Sequence, residues 1–461
     1  MKKNQILPLK IEKLAYKGKG VGKIDGRVVF VPYTIPGDEI EVRIRKKRKS
    51  YAEGVVQSFI RYSDKRIDPR CRYFGYCGGC KWQNIPYEYQ LEVKKDIVRE
   101  SLEHIGGLEI AVEPTLPSPA IWNYRNKMEF TFSSLRWLLP DELNDLSLSK
   151  ENALGFHAPG AFDKIIDIEH CDLQTEDLNQ ILHIIREYAI EHNLPFYNVH
   201  EHSGLLRFVV FRKAAFTDEL MVNIITSEDA GEQLLPLVEQ ITKEFPKITS
   251  IVNSINPDIA QVAFGKEHIV LHGRDYIWER LGPYKFRISP NSFFQTNSRQ
   301  ALQMYTLVKE LAGLTGKEIV WDLYGGTGTI GIFISAGAGK VTSIELIEAA
   351  SLDGVENAKL NGITNIEFVT GDMRDLIYSI DETPDVVITD PPRDGMHPKV
   401  VKALLEKEPK RIVYVSCNPA TLARDLAQLK EKYDILRVQP VDMFPQTYHI
   451  ETVLLLERKH A

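Results

Sequence analysis

Residues 318–336 read Glu318-Ile-Val-Trp-Asp322-Leu-Tyr324-Gly325-Gly326-Thr-Gly328-Thr329-Ile-Gly-Ile-Phe-Ile-Ser-Ala336. The apolar run up to Tyr324 predicts a strand, the glycines a tight loop, and residues 330–336 the start of a helix. The same alternation continues toward the end of the chain. Strands are expected at 340–345, 366–369, 385–389 and 411–416, with helices at 349–361, 398–407 and 421–430, and closing strands at 436–441 and 452–457. This pattern implies an α/β fold, with a mostly parallel sheet covered by helices on both faces.

Open sheets of this kind hold ligands beyond the carboxyl ends of their strands. The glycines at 325–328 let backbone approach a ligand closely, and an acid about twenty residues on, Glu345, can bind ribose hydroxyls. The loop carries Asp322 ahead of its glycines, which fits S-adenosylmethionine (SAM) better than NAD. Asp372 reads equally as a contact to an adenine edge or as a simple turn residue. In Asp390-Pro391-Pro392-Arg393 the prolines fix an extended exit from the strand. The Asp390 carboxylate is thereby aimed out of the sheet edge, where it can accept a hydrogen bond from a base N–H.

Cys417 stands in Val-Tyr-Val-Ser-Cys417-Asn418-Pro419, after one predicted strand and before a helix. A lone buried cysteine is usually a small hydrophobe. At a helix N-terminus, however, backbone N–H groups favour a thiolate, so a lowered pKa and a nucleophile able to add to an electron-poor ring are expected. Glu451 opens the last apolar strand and is a candidate general base, although alone such a residue is more often solvated.

At 461 residues the chain is too long for one core, so two or three domains are expected. The net charge of −6 hides an asymmetry: residues 1–60 hold 14 Lys/Arg against 6 Asp/Glu, and the other 401 hold 43 against 57. Strands at 9–14, 27–32, 39–44 and 53–59, with a glycine turn at 17–22, suggest a small β-barrel of the OB type. The basic run 43–49 gives that module a footprint for a phosphate backbone. An amphipathic helix is expected at 89–105 and another near 175–192, with a loop over 139–152. No apolar stretch reaches the length of a membrane span and no signal-peptide core follows Met1, so a cytoplasmic monomer is expected.

Five motifs in order carry a family resemblance: Phe293-Phe294-Gln295-Thr296-Asn297, Asp322-Leu-Tyr-Gly-Gly-Thr-Gly, Asp390-Pro-Pro-Arg-Asp-Gly, Val415-Ser-Cys-Asn-Pro and His449-Ile-Glu-Thr-Val. They resemble those of SAM-dependent RNA uracil-5-methyltransferases. The first 60 residues look like the TRAM RNA-binding barrel. Cys71, Cys77, Cys80 and Cys171 are similar in spacing to the 4Fe–4S ligands of the branch that modifies 23S ribosomal RNA. The chain departs from the pattern in two places. Tyr324-Gly325 stand where members often carry Phe-Cys, and Gln446 stands where many have His.

The resemblance implies three parts: a TRAM barrel at 1–60, a central α+β domain with the cluster cysteines at 61–285, and a Rossmann-like class I methyltransferase domain at 286–461. The helix at 89–105 is expected to pack on the last of these. It also implies that Cys417 adds to C6 of a flipped-out uridine and that Glu451 removes the C5 proton. Phe293 would stack near the base, Asp390 would hold the base edge, and Gln295, Tyr324, Thr329, Glu345 and Asp390 would border SAM. Ribosomal RNA is the expected partner, with transfer RNA as the alternative.

Zinc is the rival metal, but Cys₄ zinc sites commonly use two paired Cys-x-x-Cys knuckles. Here one close pair and a cysteine 91 residues past Cys80 suit a closed structural cubane better. Two rival functions remain. An adenine amino-methyltransferase would share Asp390-Pro-Pro but have an aromatic residue in place of Arg393 and no use for Cys417. A non-catalytic RNA chaperone would need neither Cys417, Glu451 nor the glycine loop.

Overall fold

The computed structural model describes residues 1–460. Its N-terminal part is a six-stranded sheet in which Tyr51–Arg61 joins Glu39–Lys47 on one side and Arg27–Pro32 on the other. Alternate residues Val29, Val31, Ile40, Val42 and Ile44 point into one core. The expected turn at 17–22 is shorter in the structure. Only Lys17 and Gly18 turn, with φ of 72° and 73°, and Lys19–Ile24 is itself a strand.

The middle of the chain forms a seven-stranded sheet built around Leu206–Lys213, which pairs with Lys127–Leu135 and Leu220–Thr226. Helices Glu176–Glu191 and Gly231–Glu244 bury Ile181, Leu182, Leu237 and Ile241 in the core beneath it. The loop expected at 139–152 gives way at Glu151 to the strand Glu151–His157.

The C-terminal sheet also has seven strands. In spatial order they are Ile366–Thr370, Lys340–Glu345, Ile319–Leu323, Val386–Thr389, Arg411–Ser416, Glu451–Arg458 and Tyr433–Val441. The first five run parallel, and the chain reverses order between Ile319–Leu323 and Val386–Thr389. The last two are antiparallel, with Glu451–Arg458 inserted between Arg411–Ser416 and Tyr433–Val441. Apolar cores lie on both faces of the sheet, as expected for a run of strands buried on both sides. Helix Ser298–Ala312 was not read from the sequence. It is bounded by Asn297, whose side chain accepts from Gln300 N, and by left-handed Gly313.

Helix Tyr87–His104 lies far away in sequence, yet its Val98 and Leu102 share a core with Leu422, Ala423 and Leu426 of helix Pro419–Leu429. Its Lys94 is fully buried and donates to Asp442 Oδ1 at 2.5 Å and to the Phe444 carbonyl at 3.2 Å. One turn earlier, the Gln90 amide exchanges hydrogen bonds with the backbone N–H and side chain of Gln446. These contacts fix the segment that leads into Glu451. No helix among the described residues is long and apolar enough to cross a membrane.

Candidate active site

The glycine loop is shaped by what surrounds it. The Asp322 carboxylate accepts from Gly331 N and Ser343 Oγ, both at 3.1 Å, and so ties the following helix to the neighbouring strand. A Cβ at Gly325 would lie 2.1 Å from Ser343 Oγ, so the turn can pass this strand only without a side chain. Gly328 combines a φ of 69° with Phe368 packed 2.5 Å from where a Cβ would stand. Burial, opposed by those two donors, pushes Asp322 up to about 7.

Glu345, at the end of the adjacent strand, accepts from Gly326 N at 2.9 Å and Ile347 N at 2.8 Å. Asp372 realises its local reading: it caps helix Met373–Ser379, accepts from Arg374 N at 2.8 Å and pairs with the Arg374 side chain, which holds it down at about 2. It nonetheless borders the cavity described below.

Asp390 follows its strand as expected. Asn418 Nδ2 donates to the Arg393 carbonyl at 2.8 Å, and buried Asp425 accepts from Met396 N at 2.9 Å and Tyr414 Oη at 2.7 Å. The Asp390 loop is thus sutured to the turn that carries Cys417. Desolvation and the nearby Asp322 charge push Asp390 up to about 7.

Thr452 pairs with Ser416 in the antiparallel ladder, so Glu451 and Cys417 emerge at the same sheet edge from adjacent strands. Burial raises the Glu451 carboxyl well above its ordinary value, with Asp390 adding to the effect and Arg393 opposing it. The expected lowering of the Cys417 pKa does not occur. Burial first, then Glu451 and Asp390, push the thiol up to about 12, while Arg393 pulls the other way. The helix offers little help because its first residue is Pro419, which has no N–H, and its Ala420 N–H is taken by the Asn418 side chain.

All nine residues singled out for SAM, base or chemistry border one cavity of about 1260 Å³: Phe293, Gln295, Tyr324, Thr329, Glu345, Asp372, Asp390, Cys417 and Glu451. Tyr305, Phe444 and His449 join them there and were not assigned from sequence. Tyr305 lies on the unread helix Ser298–Ala312, where the Asn297 cap and Gly313 were the available signal. His449 is pushed down to about 4 by burial, with Arg393, Lys94 and Arg125 adding to it, so a neutral ring faces the cavity near neutral pH. From the N-terminal sheet, Tyr16 meets Tyr448 edge-on with ring centroids 5.7 Å apart.

The four remaining cysteines gather at one place. Cys71, Cys77 and Cys171 pack against the central core, and the charges of Cys80, Cys77 and Cys71 all act on Cys171. Burial pushes Cys71 up to about 11 and Cys80 to about 12, and raises Cys77 and Cys171. Gly79 N donates to Cys77 Sγ at 3.3 Å. Even so, no group of three or more His, Cys, Asp or Glu side chains among the described residues is arranged to hold a metal ion. The expected ligand set is assembled as neighbours but not as a closed metal site.

Residues 235–459 match the family model of tRNA (uracil-5-)-methyltransferases, and residues 2–56 match the TRAM domain. An uncharacterized RNA methyltransferase of Bacteroides thetaiotaomicron is 45% identical over 453 residues, covering 96% of this chain and 100% of its own. A second from Caldanaerobacter subterraneus is 40% identical, covering 99% of this chain and 100% of its own. Among solved structures, the tRNA (uracil-54, C5)-methyltransferase of Pyrococcus abyssi, in complex with S-adenosyl-L-homocysteine, is similar over 97% of this chain and 99% of that one. Its TM-score is 0.75 and its identity 32%.

Proposed function

This chain belongs to the family of SAM-dependent RNA (uracil-5-)methyltransferases, and we propose that it methylates C5 of a uridine through a covalent bond to Cys417. The observation that carries this reading is the antiparallel pairing of Ser416 with Thr452, which brings the thiol and the Glu451 carboxyl to one cavity wall beside Asp390. Uracil C5 is too weak a nucleophile to take a methyl group unaided. SAM supplies that methyl group and, as a sulfonium, positive charge that favours the ionised forms of Cys417 and Glu451.

Cys417 Sγ, as the thiolate, bonds to C6, and the C5–C6 electron pair moves onto C5 as an enolate. C5 then bonds to the methyl carbon, whose bond to sulfur breaks. Glu451 takes the C5 proton, the C5–C6 double bond reforms, and the Sγ–C6 bond breaks to return the thiolate. Asp390 accepts from the N–H edge of the uracil and Phe293 stacks near the ring. Gln295, Tyr324, Thr329, Glu345 and Asp372 border the cofactor. The target base must leave its stack, so the substrate is a single-stranded segment.

Incubation with SAM and RNA containing 5-fluorouridine tests the scheme, because Glu451 cannot remove a fluorine from C5. A denaturant-stable adduct is expected with the native chain and none with Cys417→Ala. An adduct formed by Cys417→Ala would refute the nucleophile assignment.

Large-subunit ribosomal RNA is the substrate we favour, on the resemblance of the TRAM domain and the four-cysteine set. Transfer RNA is the second reading, favoured by the full-length similarity to the Pyrococcus abyssi enzyme. Mapping 5-methyluridine in both RNAs from a deletion strain separates them. Cys71, Cys77, Cys80 and Cys171 would hold a 4Fe–4S cluster. Four neighbouring half-buried cysteines whose charges act on one another, one already receiving a backbone N–H, suit its donor chemistry. The cluster would tie residues 71–80 to the central core.

A further inference from the structure

Two loops, one in the central part and one at the start of the methyltransferase part, carry large apolar side chains into solvent, and one ring of each borders the cavity. One is 256–265, where Ile259 and Val262 are exposed and Phe264 is 52% exposed; the other is 290–294, where Phe293 is 67% exposed. Exposed rings on slack loops would collapse onto the protein, but these loops are held from below.

The same strand, Leu206–Lys213, supplies both anchors. Arg207, only 1% exposed, donates to the carbonyls of Asn256 at 2.6 Å, Asp258 at 2.5 Å and Ala260 at 2.9 Å. Arg212, 3% exposed, donates to the carbonyls of Pro290 at 3.1 Å and Ser292 at 2.5 Å. Among the described residues neither guanidinium is paired to a carboxylate; each donates to loop backbone through its terminal nitrogens, while its buried Nε has no partner. The loops are also tied to each other: Asn291 Nδ2 donates to the Gly265 carbonyl at 2.7 Å and its Oδ1 accepts from Gly265 N at 3.2 Å. Burying two charged groups costs free energy that rigid backbone recovers only in part. What the arrangement achieves is a pair of aromatic rings kept in water at set positions.

We propose that Phe264, flanked by Ile259 and Val262, is a second base-stacking surface, which takes the nucleotide next to the target uridine in single-stranded RNA. This rests on the reading of the site as an RNA uridine methyltransferase. The occupant follows from continuity: Phe264 borders the same cavity as Phe293 and Cys417. Turning one base out of its stack exposes a face of its neighbour, and an aromatic ring covers such a face regardless of base identity. Arg207 and Arg212 are positioning residues for the two rings.

The test uses the full chain with ribosomal and transfer RNA from a strain lacking the gene, measuring methyl incorporation, SAM affinity and sedimentation. Phe264→Ala is expected to raise KM for RNA about tenfold, with kcat within twofold and SAM affinity and thermal midpoint unchanged. Phe264→Tyr should restore KM, whereas Phe264→Leu, which restores only apolar bulk, should not. In a short RNA with 5-fluorouridine beside 2-aminopurine, adduct formation should quench 2-aminopurine fluorescence in the native chain, and Phe264→Ala should form the adduct with less quenching. Three results overturn the proposal: an unchanged KM, a loss confined to SAM affinity, which would assign the ring to the cofactor, or a concentration-dependent dimer abolished by Phe264→Ala. Failure of the native chain to form any adduct would instead count against the catalytic reading.

Discussion

At the residue scale, burial holds the candidate groups Cys417 and Glu451 toward their protonated forms. The Cys417 thiol is pushed up to about 12. Its alkylation by iodoacetamide should therefore be slower than that of a free thiol at pH 8 and keep rising through pH 9.5, as followed by peptide mass spectrometry. Arg393→Gln should slow it further, since that guanidinium is the charge favouring the thiolate. Glu451→Gln should let the Cys417 adduct form but not resolve, lowering kcat by about 10²- to 10⁴-fold, with methylated RNA accumulating as a covalent complex. Asp322 gives a stability test, because burial raises it to about 7. Above the unfolded carboxylate value of about 3.9, the unfolded chain has released a proton that the folded chain keeps. Stability therefore falls as pH rises from that value through the folded one. Asp322→Asn cannot ionise, so the slope of urea-unfolding stability between pH 5 and 7 should become shallower, by up to about 1.4 kcal/mol per pH unit.

At the scale of elements, the segment before Glu451 is positioned by a helix from another part of the chain. Lys94 and Asp442 form a 2.5 Å pair with both side chains fully buried. Lys94→Met leaves the Asp442 charge buried and unpaired, and should cost roughly 3–5 kcal/mol in urea unfolding. Lys94→Met with Asp442→Leu should recover most of that loss, because the orphaned charge goes with its partner. The motifs on strands and on the glycine loop were legible from sequence because apolar runs and glycines report local geometry. Helix Ser298–Ala312 was not, although Asn297 and Gly313 bound it. The helix-terminus argument for Cys417 failed for a local reason as well: Pro419 supplies no N–H and Asn418 occupies the next one.

At the scale of the whole molecule, Tyr16 of the basic N-terminal module packs on Tyr448, whose ring meets His449 of the cavity wall, and RNA is expected to touch both module and cavity. Replacing Arg45, Lys46 and Lys47 by Ser should leave SAM affinity unchanged and weaken RNA binding. The slope of log affinity against log salt should flatten by about 2, the loss expected for three contacts to a single strand. Iron and sulfide assays on anaerobically prepared protein test the four-cysteine site. The proposed cluster predicts that chelation lowers the thermal midpoint and releases residues 71–80 to protease; loss of activity with the fold and midpoint intact would refute its structural role.

The sequence by itself marked the α/β class, the glycine loop, and Cys417 and Glu451 as candidate nucleophile and base, because each is written in a contiguous stretch. It also marked the basic module through the charge of residues 1–60. Tertiary structure alone decided that Glu451 stands beside Cys417. The last strand runs antiparallel between two others, and that pairing places the start of one strand against the end of its neighbour. Tertiary structure also decided the protonation of the site, since pKa values depend on burial and on charges brought from distant segments. Strand order and solvent exclusion are sums over contacts that no single stretch of residues contains.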